Sequence, residues 1–108
     1  MILYNETINI DQTAEIQWLN WMKRKHVPSV LNTGLFLSAR LSRLSSHIQP
    51  DSTNYTVQYL CENSDHLNEY KTIHLEKLKE EGTQLFGDKM QFFQTELDVI
   101  QDFFPNQS

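Results

Sequence analysis

The sequence is poor in cysteine, glycine, proline and long apolar runs, and each shortage excludes a class of protein. Only one of the 108 residues is Cys, three are Gly and three are Pro. The single Cys61 cannot form an internal disulfide, which argues against a disulfide-stapled secreted domain. The low Gly and Pro content excludes collagen-like and low-complexity chains. Because no apolar run reaches the length of a bilayer crossing, we expect no membrane partner.

Positive charge is also scarce. Nine Lys and Arg stand against 14 Asp and Glu, a formal charge of −5, and apart from Lys23, Arg24 and Lys25 the cations are scattered. Nucleic-acid binding needs clustered cations, so we expect no nucleic-acid partner. The N-terminus shows no basic region followed by an apolar one, which predicts no signal peptide. Together with the lone cysteine, this pattern predicts a cytoplasmic location.

The residues that are abundant indicate a globular chain. Hydrophobic residues make up 39% of the sequence and aromatic residues 11%, whereas disordered chains are poor in both. A chain of 108 residues has room for one hydrophobic core. We therefore expect one domain over residues 1–100, followed by a C-terminal tail over residues 101–108.

Four segments alternate apolar and polar residues, which predicts β-strands. They cover residues 2–10, 35–45, 55–61 and 90–100. Apolar residues at helical spacing fill the two long intervals between the first and second and between the third and fourth segments. The order β-α-β-β-α-β is that of the ferredoxin-like fold. This is an α+β fold in which a four-stranded antiparallel sheet carries both helices on one face.

The first predicted helix has a candidate N-cap at its start and a proline that is expected to kink it. Asp11 or Thr13 can cap its first turn with a side-chain oxygen, and Ile16 belongs to its expected apolar side. Pro28 has no amide hydrogen and clashes with the preceding turn, so it predicts a kink near His26.

The second predicted helix is expected to begin with Ser64 as its N-cap, to be interrupted at Gly82 and to close at Gly87. A short internal repeat relates the two helices. The two copies read His26-Val27-x-x-Val30-x-x-x-Gly34 and His74-Leu75-x-x-Leu78-x-x-x-Gly82. Their places in the two halves of the chain fit a fold built from two βαβ units.

One face of the predicted sheet has no covering layer. Apolar side chains alternate onto both faces, as Phe92 and Phe93 do. Contiguous exposed apolar area usually marks an interface, and the simplest closed solution is a twofold homodimer with sheet against sheet. We expect the tail with Phe103 and Phe104 to pack across this dimer seam; a frayed end is the alternative.

Several motifs resemble one family over most of the chain. They are Trp18-Leu19-x-Trp21-Met22-Lys23-x-x-His26-Val27-Pro28, Thr33-Gly34-x-Phe36-x-Ser38-Ala39-Arg40-Leu41, Tyr55-x-Val57-Gln58-Tyr59, and Tyr70-x-x-x-His74 followed by Phe86-Gly87. They resemble an uncharacterised bacterial domain-of-unknown-function family in the dimeric α/β barrel superfamily. That superfamily includes antibiotic biosynthesis monooxygenases and EthD-like proteins. The resemblance implies a ferredoxin-like protomer and a homodimer, and it implies no established reaction.

Two histidines are candidates for acid–base chemistry. His26 lies at the expected kink, and an imidazole with an ordinary pKa of about 6.5 suits a general acid or base. The structural alternative is that His26 bonds a carbonyl freed by the broken turn. His74 lies four residues from Tyr70 on one helix face, where the pair would orient a ligand or form a structural contact.

Four residues are candidates for ligand binding: Tyr4, Trp21, Arg40 and Tyr70. Tyr4 and Trp21 would line an apolar pocket between helix and sheet, or form ordinary core. Arg40 lies in the middle of a strand, where a charge needs a partner. It would form a salt bridge to Glu96 or another acid across the sheet or the dimer, or capture an anionic ligand. The spacing of His and Cys matches no metal motif, so we expect no metal and no cofactor.

These features favour two functions. The first is a small homodimer that binds a small apolar or carboxylated molecule, or acts as an interaction module, without chemistry. The alternative is a cofactor-free monooxygenase, cyclase or isomerase acting in an apolar pocket, which rests on the fold resemblance alone. An enzyme would need a cavity into which His26, His74 or Arg40 faces.

Overall fold

Four strands and two long helical segments alternate along the chain. In the computed structural model, which describes residues 1–106, the strands are β1 (Ile2–Asp11), β2 (Ser38–Arg43), β3 (Ser52–Cys61) and β4 (Met90–Asp98). The helices are α1 (Glu15–Trp21), α2 (Val27–Leu31), α3 (Ser64–Glu69) and α4 (Leu75–Phe86), and a 3₁₀ turn (Gly87–Lys89) precedes β4. The predicted α+β, ferredoxin-like order is confirmed.

The four strands form one antiparallel sheet in the order β2-β3-β1-β4. Strand β1 lies in the interior of the sheet, so it has a paired strand on both sides. Glu6, for example, is opposite Val57 on β3 and opposite Gln94 on β4. This register decides which side chains share a face of the sheet.

The hydrophobic core lies between the helices and one face of the sheet, because alternate residues of β1 and β3 are buried there. The largest fully buried side chains are Trp18, Tyr4, Tyr59, Tyr70, Ile10, Leu67, Val30, Val57 and Cys61. We call the opposite side of the sheet the open face. It carries Leu3, Asn5, Thr7, Asn9, Arg40, Ser42, Thr56, Gln58, Leu60, Gln91, Phe93, Thr95 and Leu97.

Each long helical segment contains one turn of π-helix. Met22–His26 joins α1 to α2, and Tyr70–His74 joins α3 to α4. In these turns the Val27 amide donates to the Met22 carbonyl and the Leu75 amide to the Tyr70 carbonyl, an i to i−5 pattern. The disturbance predicted near His26 therefore exists as a π turn. Proline does not account for both π turns, because no proline lies in or beside the second one, Tyr70–His74.

The N-cap residues of α1 and α3, with which the two long helical segments begin, differ from those predicted. Asp11 Oδ1 accepts from the Thr13 amide at 2.8 Å in the turn before α1, and Ala14 takes the N-cap position without a side-chain bond. In the second helix Asn63 is the N-cap, and its Oδ1 accepts from the His66 amide at 2.9 Å. Ile16, expected on the apolar side of α1, is 80% exposed.

The strand boundaries shift for packing reasons. Leu35 and Phe36 are both buried, and two adjacent residues of one strand cannot face the same side. β2 therefore starts at Ser38 rather than at residue 35. β3 begins earlier than predicted, at Ser52, where it pairs with Asp11.

Gly82 does not interrupt the second helix, contrary to prediction. α4 runs through it to Phe86, and Gly87 follows with a positive φ of 51°. A Cβ at position 82 would lie 2.9 Å from Trp21 Cη2. Glycine is thus present because the Trp21 ring packs on the backbone of α4. Within residues 1–106, no helix combines the length and the apolar character that a membrane crossing requires.

Candidate functional site

A carboxylate lies on the buried, helix-covered face of the sheet. Glu6 occupies the middle of β1 and is only 9% exposed. Its neighbours at the same parity, Tyr4 and Ile8, are both core residues. Ionised carboxylates are rarely buried in such surroundings unless they are paired or functional.

The surroundings of Glu6 favour its neutral form. Burial raises the pKa of the Glu6 carboxyl above its ordinary value, while the nearby Gln94 side chain and the Lys79 charge partly oppose this shift. Lys79 Nζ lies 4.9 Å from the centre of the Phe92 ring, at the edge of the same region. A perturbed carboxyl in a lined pocket is a typical feature of functional sites.

Glu6 opens onto a pocket between the helices and the sheet. Residues of both layers line it: Glu6, Ile8, Trp18, Trp21, Met22, His26, Tyr70, Leu75, Lys79, Gly82, Met90 and Phe92. Its volume is about 30 Å³, which is room for one or two water molecules. Both π turns contribute to this wall, through Met22 and His26 on one side and Tyr70 on the other.

His26 faces this pocket from the helical layer. Its ring stacks on Trp21 with centroids 4.6 Å apart. Burial lowers the pKa of His26 from 6.5 to about 4, against the opposing effect of the Glu81 carboxylate. His26 is therefore a neutral imidazole at pH 7, able to donate from one ring nitrogen and accept at the other.

Trp18, one of the residues of the pocket wall, carries a buried donor. The Trp18 indole nitrogen has no hydrogen-bond partner among residues 1–106, although the residue is fully buried. Its ring packs against Tyr55, with centroids 4.8 Å apart. Leaving such a donor unpaired costs about 1–3 kcal/mol, so a water or ligand acceptor would stabilise the site.

An aromatic cluster adjoins the pocket at Tyr70. The rings of Tyr4, Phe36, Tyr59 and Tyr70 stand 4.9 to 6.3 Å apart. Burial, with the Glu6 charge as the next cause, raises the pKa of all three tyrosines. These hydroxyls are therefore protonated at any ordinary pH and act only as neutral hydrogen-bonding groups.

The structure brings together three of the six residues predicted to form a site: Trp21, His26 and Tyr70 all line the pocket. Tyr4 lies behind Tyr70 in the core, with ring centroids 5.9 Å apart. His74 is half-buried and stacks on Tyr70 at 6.2 Å, outside the pocket wall.

Arg40 lies elsewhere, exposed on the open face. The predicted alternative of an Arg40–Glu96 pair within one chain is wrong. Glu96 Oε2 pairs with Lys71 Nζ at 2.6 Å on the helix-covered face. Since the sheet separates the two faces, Arg40 cannot reach that carboxylate.

Glu6 is the site residue that sequence reasoning missed, although its parity reveals it. In the first strand it falls in register with Tyr4, Ile8 and Ile10, so a charged residue stands on the apolar side of the alternation. By contrast, no group of three metal-ligating side chains comes together within the described part of the chain.

Solved structures show the same fold at low sequence identity. They include an EthD-family protein from Bacillus halodurans (9% identity, TM-score 0.66, 93% of this chain and 100% of that chain). A dimeric ferredoxin-like protein from an uncultured marine organism matches at 12% identity and TM-score 0.65, over 97% and 100% of the two chains. A point mutant of MhuD, with two manganese protoporphyrin IX bound per active site, matches at 14% and 0.70, over 97% and 100%.

Among proteins with curated descriptions, none matches this chain. A family model described as a domain of unknown function (DUF4286) matches residues 1–100. That span is nearly the whole of the 108 residues. The chain therefore belongs to the DUF4286 family.

Proposed function

We propose that the protein is a homodimer that binds a small apolar molecule carrying a hydroxyl group, in the pocket between helices and sheet. The observation that carries the proposal is Glu6, a nine-tenths buried carboxyl that opens onto an apolar pocket. A purely structural core would gain stability from an apolar residue at this position. An interaction module without a ligand would have no use for it.

The polar groups of the pocket indicate the class of ligand. Glu6 offers a hydrogen-bond acceptor, and Trp18 offers a buried donor that lacks a partner within residues 1–106. A hydroxyl group can donate to the first and accept from the second. A carboxylated ligand would bring a charge into an apolar pocket whose buried groups favour their neutral forms, and the cost of desolvating that charge disfavours such a ligand.

The size of the pocket sets a condition on binding. A volume of about 30 Å³ does not hold a metabolite without movement. Lys79, which is only partly buried, would have to swing outward. The porphyrin bound by the MhuD mutant is far larger than this space, so we propose no macrocyclic cofactor here.

The proposal of a homodimer rests on the open face. Phe93 and Leu97 are partly exposed there, and Leu3 and Leu60 lie beside them. Two structural neighbours are described as dimeric ferredoxin-like proteins. A face-to-face pair of sheets would cover these side chains with twofold symmetry.

Binding can be tested with two probes that share a benzene ring, phenol and benzoate. We expect phenol to raise the thermal midpoint of the protein and to change the fluorescence of Trp18 and Trp21, which line the pocket. Glu6→Leu should abolish both responses, whereas the exposed Glu76→Gln on α4 should keep them. A benzoate response equal to that of phenol, or a phenol response that survives Glu6→Leu, would contradict the proposal.

A cofactor-free monooxygenase, cyclase or isomerase remains the second candidate. The specific observation in its favour is that two titratable groups with shifted pKa values, Glu6 and His26, face one apolar pocket. Such a pair can move a proton at a bound substrate. Once a ligand is found, Glu6→Gln and His26→Gln should abolish its turnover but not its binding if the enzyme hypothesis is right.

A further inference from the structure

The chain that follows β4 crosses the open face of the sheet. The Val99 amide donates to the Met1 carbonyl at 2.9 Å, which extends the pairing of β4 with β1 by one step. Asp102 then lines a groove of about 430 Å³ that also includes Arg40 of β2. Because β2 and β4 are the two edges of the sheet, residues 99–104 pass over its end. We call these residues the C-terminal arm, and the groove the arm groove.

The arm exposes its largest side chains to solvent. Ile100 is 91% exposed, Phe103 81% and Phe104 83%. A buried aromatic side chain removes roughly 150–250 Å² from water, so two phenylalanines left in solvent forgo a large stabilisation. Pro105 holds Phe104 in an extended conformation. The arm is thus an extended apolar segment whose aromatic side chains are not covered within the described part of its own chain.

The arm groove has the complementary character. Apolar side chains of β1 and β3 line it (Leu3 and Leu60), and Arg40 of β2 supplies a positive charge. Asp102 of the same chain also lines the groove, so the positive charge of Arg40 is accompanied by a negative one and the apolar part of the groove is what remains to be covered. The acidic arm and the net charge of −5 argue against an anionic lipid surface as the partner.

The second copy of this chain fits both surfaces. In the proposed homodimer the open face of one protomer lies against that of the other. Successive Cα atoms are about 3.8 Å apart, so the Cα atom of Phe104 lies within about 8 Å of the Cα atom of Asp102 in the arm groove. The arm therefore lies inside the seam. Under twofold symmetry each protomer supplies one arm and one groove. We infer that Phe103 and Phe104 of each protomer pack into the arm groove of a second copy, against the Leu3 and Leu60 side chains that line it. This inference rests on the proposed homodimer.

Sedimentation velocity over a range of concentrations tests the inference on the full chain. We expect the double variant Phe103→Ser, Phe104→Ser to weaken dimerisation at least 100-fold. The control Ile16→Ser, Ile48→Ser, which removes side chains of equal exposure elsewhere, should change it less than threefold. An unchanged dimer in the arm variant overturns the inference alone. A wild-type chain that stays monomeric overturns the homodimer as well.

A cysteine mixture tells an exchanged arm from one that folds back on its own chain. In a Cys61→Ser background, a chain with Phe103→Cys is mixed with a chain with Arg40→Cys and mildly oxidised. We expect disulfide-linked heterodimers. Replacing the first partner by Ile16→Cys should give none. If the heterodimer fails to form while the doubly substituted chain closes an internal disulfide, the arm belongs to its own protomer and the inference is wrong.

Discussion

Glu6 and His26 face one pocket from opposite layers, and burial shifts their pKa values in opposite directions. The pKa of Glu6 rises and that of His26 falls to about 4, so both shifts favour the neutral group. The pair is thus prepared for hydrogen bonding rather than for a buried ion pair. Such an arrangement suits a neutral ligand, because a charged one would have to be desolvated beside two buried groups that are themselves neutral.

The His26 shift predicts how stability depends on pH. Between about pH 4 and pH 6.5, His26 is protonated in the unfolded chain but neutral in the folded chain. The free energy of unfolding should therefore fall as the pH drops through this window, by up to about 3 kcal/mol. His26→Phe should flatten this part of the profile, measured by urea unfolding at a series of pH values.

Glu6 acts with the opposite sign and must be removed from this measurement. Because its pKa is raised in the folded state, the folded chain binds the extra proton, and stability rises as the pH falls. The comparison is therefore made in a Glu6→Gln background. His47→Asn, at an exposed site, is the matched control. A profile that keeps its slope after His26→Phe would show that the imidazole is not desolvated.

At the scale of the element, Gly82 shows how a residue that disfavours helices can be required inside one. Alanine is better than glycine in a helix interior by about 1 kcal/mol. At position 82, however, a Cβ would lie 2.9 Å from Trp21 Cη2 and 3.3 Å from Met90 Cε. We expect Gly82→Ala to destabilise the protein by about 1–3 kcal/mol, the usual cost of overpacking. Thr83→Ala, exposed on the same helix, should change stability by less than about 0.5 kcal/mol. A Gly82→Ala variant more stable than the wild type in urea unfolding would contradict this close approach.

The elements also show which features the sequence could reveal. Strand alternation and helical spacing depend on local periodicity, so the order and class of the fold were predictable. Gly82 was misjudged because its cause is a tertiary contact with Trp21, which belongs to the other helical segment. Each π turn ends at the histidine with which one copy of the short repeat begins. Their hydrogen-bond pattern is not encoded in any single residue type, so only the structure shows it.

The site was predictable in part for the same reason. Trp21, His26 and Tyr70 lie on helix faces that periodicity identifies, and they do line the pocket. Arg40 and Glu96 fall on opposite faces of the sheet because of strand register, which the sequence leaves open. Glu6 was visible as a charge within an apolar alternation. That interruption is therefore the sequence feature to examine first in a strand of this kind.

At the scale of the whole molecule, the open face decides whether one chain is the complete unit. Phe93 lies on this face of β4, opposite Thr7 of β1 in register, and is 59% exposed. If two sheets pack face to face, the thermal midpoint should rise with protein concentration, since association favours the folded state by mass action.

Phe93→Asp places two symmetry-related charges in the seam, where like charges cost several kcal/mol. We expect this variant to sediment as a monomer with a midpoint that does not depend on concentration. Ile16→Asp, an exposed apolar position on the helical layer, should leave the dimer intact. A wild-type midpoint that stays constant over about a 100-fold range of concentration would contradict the face-to-face pairing of two copies.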